Sequence, residues 1–195
     1  MKDRIINTAS TLYARYGIKG ISMDQVAKSL NISKRTIYEN FESKEELVLE
    51  VVKTSAEHLM KTINGVEKQS RSPLEHLILV SLNISNFLHA FCPAFYKNIV
   101  NYDDACKYLE SKKVHFSEKC RTLFEEGKKS GVFLPDQNYD VISSIFLIQF
   151  ENNYNYQPAL TFTFLRGICT EKGIAELQQY SDIYHVANIN QKIYS

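Results

Sequence analysis

Apolar residues recur at three- and four-residue steps along nearly the whole chain, and only seven glycines and four prolines punctuate its 195 residues. That period puts apolar side chains on one face of successive α-helices, whereas a half-buried strand would need alternation at every second residue. Gly and Pro are the residues that end helices and make tight turns, so their scarcity leaves a set of helices joined by short breaks. The expected fold class is all-α. With 44% hydrophobic residues there is enough apolar material to bury a core.

Ile5, Ala9, Leu12 and Tyr16 form a first stripe, with Ile6 and Tyr13 beside it, and Gly17 stands where a left-handed C-cap is expected. Ser22 followed by Gln25 has the spacing of a capping box and opens a second helix through Leu30, with Val26, Ala27 and Leu30 inward. Asn31 ends it, because Asn tolerates the left-handed region. Ser33 caps a short third helix, Lys34 to Asn40, which buries Ile37 and Phe41. Ser43 and Glu46 form a second such box, launching a long fourth helix that runs through Leu47, Val51, Leu59 and Ile63.

Asn64 to Pro73 is polar and turn-rich, and Pro73 suits the first turn of a fifth helix, where its missing N–H costs nothing. Helical patterns then run to about Phe91, from Ala94 to Tyr102, from Asp104 to Lys129, from Val141 to Asn153, from Ala159 to Thr170 and from Ile174 to about Ala187. The Val141 to Asn153 stretch is apolar around most of its circumference, which calls for cover on more than one side. The expected division is a first domain over residues 1–47, the pattern of its short helices spanning roughly Ile5 to Val52, and a second domain over residues 48–195.

Two short helices separated by Asn31-Ile32-Ser33 have the spacing of a helix-turn-helix, in which the second helix offers its first residues to base edges in the major groove. Lys34, Arg35, Thr36 and Tyr38 crowd hydrogen-bond donors there. Arg35 can pair with guanine through two bonds, Lys34 can reach a base or phosphate, and Thr36 offers a hydroxyl or a methyl. Tyr38 and Lys44 suit phosphates better. The ordinary alternative is a helical hairpin with a solvated charged face. Net charge is only +1, so a nucleic-acid surface has to come from local placement of these cations.

The residues Tyr16-Gly17, Ser22 to Ala27, Asn31 to Phe41 and Ser43 to Leu47, with the pattern T-[IL]-Y-x-x-F-x-S-K-E-x-L, resemble the signature of the TetR family of repressors. The resemblance covers about the first quarter of the chain. It implies a C-terminal helical domain that binds an effector and pairs two subunits, usually through a four-helix bundle made from its last two long helices. It also implies DNA contacts at Ser22, Ser33, Lys34, Arg35, Thr36, Tyr38 and Lys44. Asn31 stands where members commonly have Gly, and Asn40 where many have an aromatic residue or His.

Function follows as an expectation: a ligand-responsive regulator, in the sense of a repressor, that binds a palindromic double-stranded operator as a homodimer and is released by a small-molecule effector of unknown identity. The alternative is an architectural DNA-binding protein with no ligand. Aromatic residues suggest an effector pocket at Phe87, Phe91, Tyr102, Phe116, Phe124, Phe146 and Phe150 for an apolar or cationic molecule, although aromatic residues at helical spacing are more often plain core. Ile145, Phe146, Gln149, Phe164 and Ile168 are the expected dimer interface.

Nothing in the sequence invites an enzymatic reading: the five histidines are dispersed, and there is no G-x-S-x-G, no phosphate-cradling glycine loop and no H-E-x-x-H. Cys92, Cys106, Cys120 and Cys169 lack metal-ligand spacing and read as reduced thiols, so no metal and no cofactor are expected. No apolar run is long enough to span a membrane or serve as a signal peptide, and a cytoplasmic location is expected.

Overall fold

The computed structural model describes residues 1–150 and 157–183. Its helices are α1 (Lys2–Tyr16), α2 (Met23–Ser29), α3 (Lys34–Asn40), α4 (Lys44–Val66), α5 (Pro73–His89), α6 (Pro93–Ile99), α7 (Asp103–Lys129), α8 (Tyr139–Ile148), α9 (Pro158–Arg166) and α10 (Glu171–Ile183). Among the described residues the only strand-like pairing is an isolated antiparallel bridge between Phe133 and Cys169. The all-α expectation holds.

The helices divide between two compact units, residues 1–60 with 89–113, and residues 61–88 with the described residues from 114 onward. A cut at residue 47 does not coincide with this division. Val48, Val51 and Val52 lie one to two turns into α4 and are fully or nearly fully buried in the first unit. That burial ties α4's first half to the N-terminal helices. Both α4 and α7 begin in the first unit and end in the second.

In the first unit α1 buries Ile5, Ile6, Ala9 and Tyr13. The stripe is therefore turned from the one expected, since Tyr16 is exposed and Leu12 only half-buried. Asp3 in its first turn and Arg15 in its last complement the helix dipole. Gly17 follows with φ 75° and ψ 161°, a positive φ but not the left-handed cap expected, and its amide still reaches the Tyr13 carbonyl at 2.9 Å. Ser22 and Gln25 form the full capping box at the head of α2. Asn31 adopts φ 55°, as its small polar side chain allows.

At the head of α4 the box is only half made. The Glu46 amide donates to Ser43 Oγ at 3.1 Å, but the Glu46 carboxylate accepts the Glu42 amide at 2.7 Å instead of the Ser43 amide.

In the second unit an aromatic cluster forms around Phe124 of α7. It meets Phe133 at 5.6 Å, Tyr139 and Phe146 of α8 at 6.0 and 5.5 Å, and Phe164 of α9 at 6.5 Å between ring centroids. Helix α8 is apolar on both faces but buried on one: Ile142, Phe146 and Leu147 are buried while Val141, Ile145 and Ile148 are exposed. It ends at Ile148, and Glu151 to Asn153 of the expected helix lie outside the described residues, as do Tyr154, Tyr156 and the stretch of the last expected helix from Tyr184 to Ala187. The bridge near Phe133 is reinforced by the Leu134 amide to Ile168 and the Thr170 amide to Val132, both 2.9 Å.

Candidate nucleic-acid interface

The α2–turn–α3 unit is built by its caps. Ser33 caps α3, accepting the Thr36 amide at 3.0 Å, and the Ile32 amide closes the turn onto the Ala27 carbonyl at 3.1 Å. Ile37 is fully buried and fixes which side of α3 faces the core. Arg35 and Glu39 are exposed on the side opposite Ile37, and Lys34 and Tyr38 are exposed on its flanks. Because α1, α2, α3 and the start of α4 belong to one compact unit, these side chains stand on a rigid base.

Arg35 is 88% exposed and its Nε lies 2.8 Å from Glu39 Oε1, one turn along α3. Lys34 reaches back to Asp24 of α2, with Nζ 3.0 Å from Oδ1, and lies 5.8 Å above the Tyr38 ring centroid. The hydrogen bond to Asp24 is the main cause that holds the Lys34 ammonium above its ordinary pKa. Tyr38 is exposed and open to a phosphate or base.

Three of the expected contacts are already occupied within the protein. The Ser22 hydroxyl is part of the capping box, and the Ser33 and Thr36 hydroxyls lie 2.9 Å from one another. Ser22 Oγ donates its one proton to Gln25 Oε1 at 3.0 Å, and one of the Ser33 and Thr36 hydroxyls donates to the other, so only one hydroxyl of that pair keeps a proton to offer outward. Lys44 is a different case: its ammonium donates to the Ile18 carbonyl at 2.7 Å and is half-buried, and the burial lowers its pKa. It pins the head of α4 to the α1–α2 connection while keeping two N–H donors for a phosphate.

The pairing of each recognition-helix cation with a carboxylate was not foreseen. The i,i+4 spacing of Arg35 and Glu39 is a readable signal. Lys34 and Asp24 are ten residues apart, so only the folded turn brings them together. The α1–α2 connection is held further by the Lys19 amide, which donates to Asn98 Oδ1 of α6 at 2.9 Å.

The expected pocket residues are divided between the two units. Phe91 packs on Phe95 and Tyr96 in the first unit, at 4.3 and 6.4 Å. Tyr102, also in the first unit, lines an open cleft of about 460 Å³ with Ser43, Glu45, Glu46, Leu49 and the head of α7. In the second unit Phe124 and Phe146 are fully buried in the aromatic cluster, Phe150 joins it edge-on to Phe146 at 5.4 Å, Phe116 is buried and Phe87 half-buried.

The expected interface residues also separate. Ile145 is exposed, whereas Phe146 and Ile168 face the interior of the subunit. Phe164 is half-buried against Phe124 and Phe146, and Gln149 accepts from the Thr161 hydroxyl at 3.1 Å. The apolar side chains left exposed on α8 and α9 are Val141, Ile145, Ile148 and Leu160. As for thiol chemistry, burial pushes Cys120 and Cys169 up to about 12, far from thiolate formation at neutral pH.

Residues 5–51 match the family described as bacterial regulatory proteins, tetR family. The chain is 25% identical over 153 residues to the HTH-type transcriptional repressor KstR2 of Mycolicibacterium smegmatis, covering 72% of this chain and 71% of that protein. It is 35% identical over 77 residues to IcaR of Staphylococcus aureus, the negative transcriptional regulator of the biofilm operon icaADBC, over 40% of this chain and 41% of that one. The match thus spans about two fifths of IcaR's length. Among solved structures it superposes on KstR2 of Mycobacterium tuberculosis with a TM-score of 0.66 at 18% identity, over 87% of this chain and 95% of that one. A transcriptional regulator from Saccharomonospora viridis, solved in complex with choline, gives a TM-score of 0.71 at 17% identity, over 93% and 95% of the two chains. At these identities the superpositions speak for the fold.

Proposed function

Because the chain belongs to the TetR family of DNA-binding transcriptional regulators, we propose that it is a repressor that binds a palindromic operator as a homodimer and is released by a small-molecule effector. The observation that carries the reading is α3 itself, which exposes Arg35, Lys34 and Tyr38 while Ile37 fixes its buried side. A recognition helix must present a few donors to base edges, and the exposed side chains of α3 support that reading. The repressor sense draws on KstR2 and IcaR, whose names describe negative regulators.

Pairing of two subunits gives cover to Val141, Ile145, Ile148 and Leu160, which are 48–55% exposed. A cluster of large apolar side chains facing water marks an association surface. Two-fold symmetry then accounts for a palindrome, because each subunit reads one half-site and the half-sites lie one helical turn or a multiple of it apart.

Helix α4 supplies a route for control. Its 23 residues span roughly 35 Å without a break. An effector that binds the second unit more tightly in a DNA-incompetent state displaces the far end of α4, and Lys44 at its head moves with it. By linkage, operator then weakens effector binding by the same factor. The choline complex of the Saccharomonospora viridis regulator supports a small-molecule ligand of this kind. A second reading, an architectural DNA-binding protein with no ligand, is favoured by the burial of Phe124, Phe133 and Phe146.

The test is selection of duplexes from a randomised pool by the full-length protein, followed by equilibrium binding and mass measurement. The proposal expects an inverted repeat bound by two chains, with Lys44→Met lowering the salt slope by about one. Selection of no consensus, or of a single half-site by one chain, would remove it. Molecules retained by the protein after native expression then separate the two readings: one that lowers operator affinity supports the effector, and unchanged affinity with each retained molecule supports the second.

A further inference from the structure

The residues of α3 at the greatest angle from its buried side are a cation and a carboxylate. At about 100° per residue, Arg35 and Glu39 each lie about 160° from Ile37, on either side of the direction pointing straight out of the domain. Their exposures agree: 88% for the Arg35 side chain and 57% for Glu39. Whatever α3 docks against meets these two side chains first.

A carboxylate in that position has few acceptable surroundings in DNA. Phosphates line both edges of the groove and repel it. Within the major groove the donors facing outward are the amino groups of cytosine and adenine. Adenine sets its N7 acceptor beside its amino group, which repels a carboxylate and suits an amide; cytosine offers the amino group without it. Glu39 has the lone pairs for such a contact. Only one oxygen, Oε1, is engaged by Arg35, at 2.8 Å through Nε. A carboxylate has about four acceptor positions, and the guanidinium keeps four N–H donors on its two terminal nitrogens after donating from Nε. The pair therefore does not have to break on docking. Its Nη fork remains free for guanine O6 and N7, while Glu39 holds the guanidinium plane and accepts from a neighbouring amino group.

We infer that Glu39 is a specificity-determining residue which accepts a hydrogen bond from a cytosine amino group within one base pair of the guanine read by Arg35. The inference rests on α3 entering the major groove as proposed above. It predicts a G·C-selecting core in each half-site and assigns cytosine selection to a residue with negative charge. Lys34 and Asp24 form the contrasting pair: their partnership runs from α3 back to α2, so Asp24 stands off the outward face of α3 and carries no such readout.

The experiment is selection from a randomised duplex pool with the full-length protein and its Glu39→Gln, Glu39→Ala, Asp24→Asn and Arg35→Ala variants, each first checked for unchanged thermal unfolding. Glu39→Gln is expected to replace cytosine by adenine at one position of each half-site, because an amide matches adenine's acceptor and donor. Glu39→Ala is expected to lose preference there by about five- to tenfold. Asp24→Asn should leave the consensus unchanged. An unaltered consensus with both Glu39 variants, while Arg35→Ala loses its guanine, would overturn the role of Glu39 alone. A consensus that Arg35→Ala leaves unchanged would overturn the reading of α3 as the base-contacting helix, and Glu39's role with it.

Discussion

Replacing Gly17 by Ala should cost the first unit about 2–6 kcal/mol, from two separate causes. Gly17 occupies φ 75° and ψ 161°, a region essentially reserved for glycine, where another residue costs about 1–3 kcal/mol. A Cβ there would also stand 2.8 Å from Ala94 Cβ and 3.1 Å from Asn98 Oδ1. Overpacking of this kind typically costs about 1–3 kcal/mol, because neighbours must leave their rotamers or shift backbone. Asn98 is the residue that accepts the Lys19 amide, so the displacement would also loosen the connection between α1 and α2. The assay is urea unfolding of Gly17→Ala, Ala94→Gly and the double variant. A lower midpoint at unchanged slope is expected for Gly17→Ala. Ala94→Gly in the same chain should recover the overpacking share and leave the backbone share. A loss below about 0.5 kcal/mol, or full recovery in the double variant, would refute the reasoning.

Ile145→Asp and Leu160→Asp should yield folded monomers by light scattering, whereas Phe146→Asp, at a side chain with no exposure, should yield unfolded protein; dimers of unchanged mass for both surface variants would remove α8 and α9 from the interface. His76 should make stability fall on acidification. Its imidazole is buried, Nε2 has no partner, and burial, then Lys119, lowers its pKa below the ordinary 6.5. The unfolded chain thus binds the proton first, so this contribution is complete above about pH 6.5 and is lost as pH falls toward the folded-state value. His76→Phe should flatten that part of the urea midpoint against pH, and an unchanged slope would count against a buried neutral histidine.

Much of the N-terminal unit is legible in the sequence because its signals are local. Ser22 with Gln25, and Ser33 ahead of Lys34, announce caps by spacing alone, and both caps form. Asn31 announces a left-handed turn by residue type, and it adopts one. What is not legible depends on distant packing. The α1 stripe runs through Tyr13 rather than Tyr16 because Cys92 brings α6 against it: the Cys92 amide bonds the Ala14 carbonyl at 2.8 Å. Tyr13 is buried with its hydroxyl unpartnered, a cost no local pattern signals.

The aromatic residues of the C-terminal part illustrate a different loss of information. Phe91 and Phe146 have the same chemistry, yet Phe91 lies in the break between α5 and α6 in the first unit and Phe146 in α8 of the second, and periodicity does not say which helix covers which. Likewise α8 reads as apolar all round in sequence, although Ile145 and Phe146, adjacent in the chain, point to opposite environments. The pairing of Lys34 with Asp24 is equally silent until the turn between α2 and α3 is folded, whereas that of Arg35 with Glu39 lies within α3 at a spacing the sequence shows.

The central claim, that α3 reads bases through Arg35, is tested most directly by equilibrium affinities of the wild type and Arg35→Ala for the selected duplex and for the same duplex with its conserved guanine pair replaced. On the selected duplex Arg35→Ala should lose about 1–3 kcal/mol per half-site. On the replaced duplex wild type and variant should bind alike, because the base that Arg35 reads is gone. Equal losses on both duplexes, or no loss on either, would contradict the account.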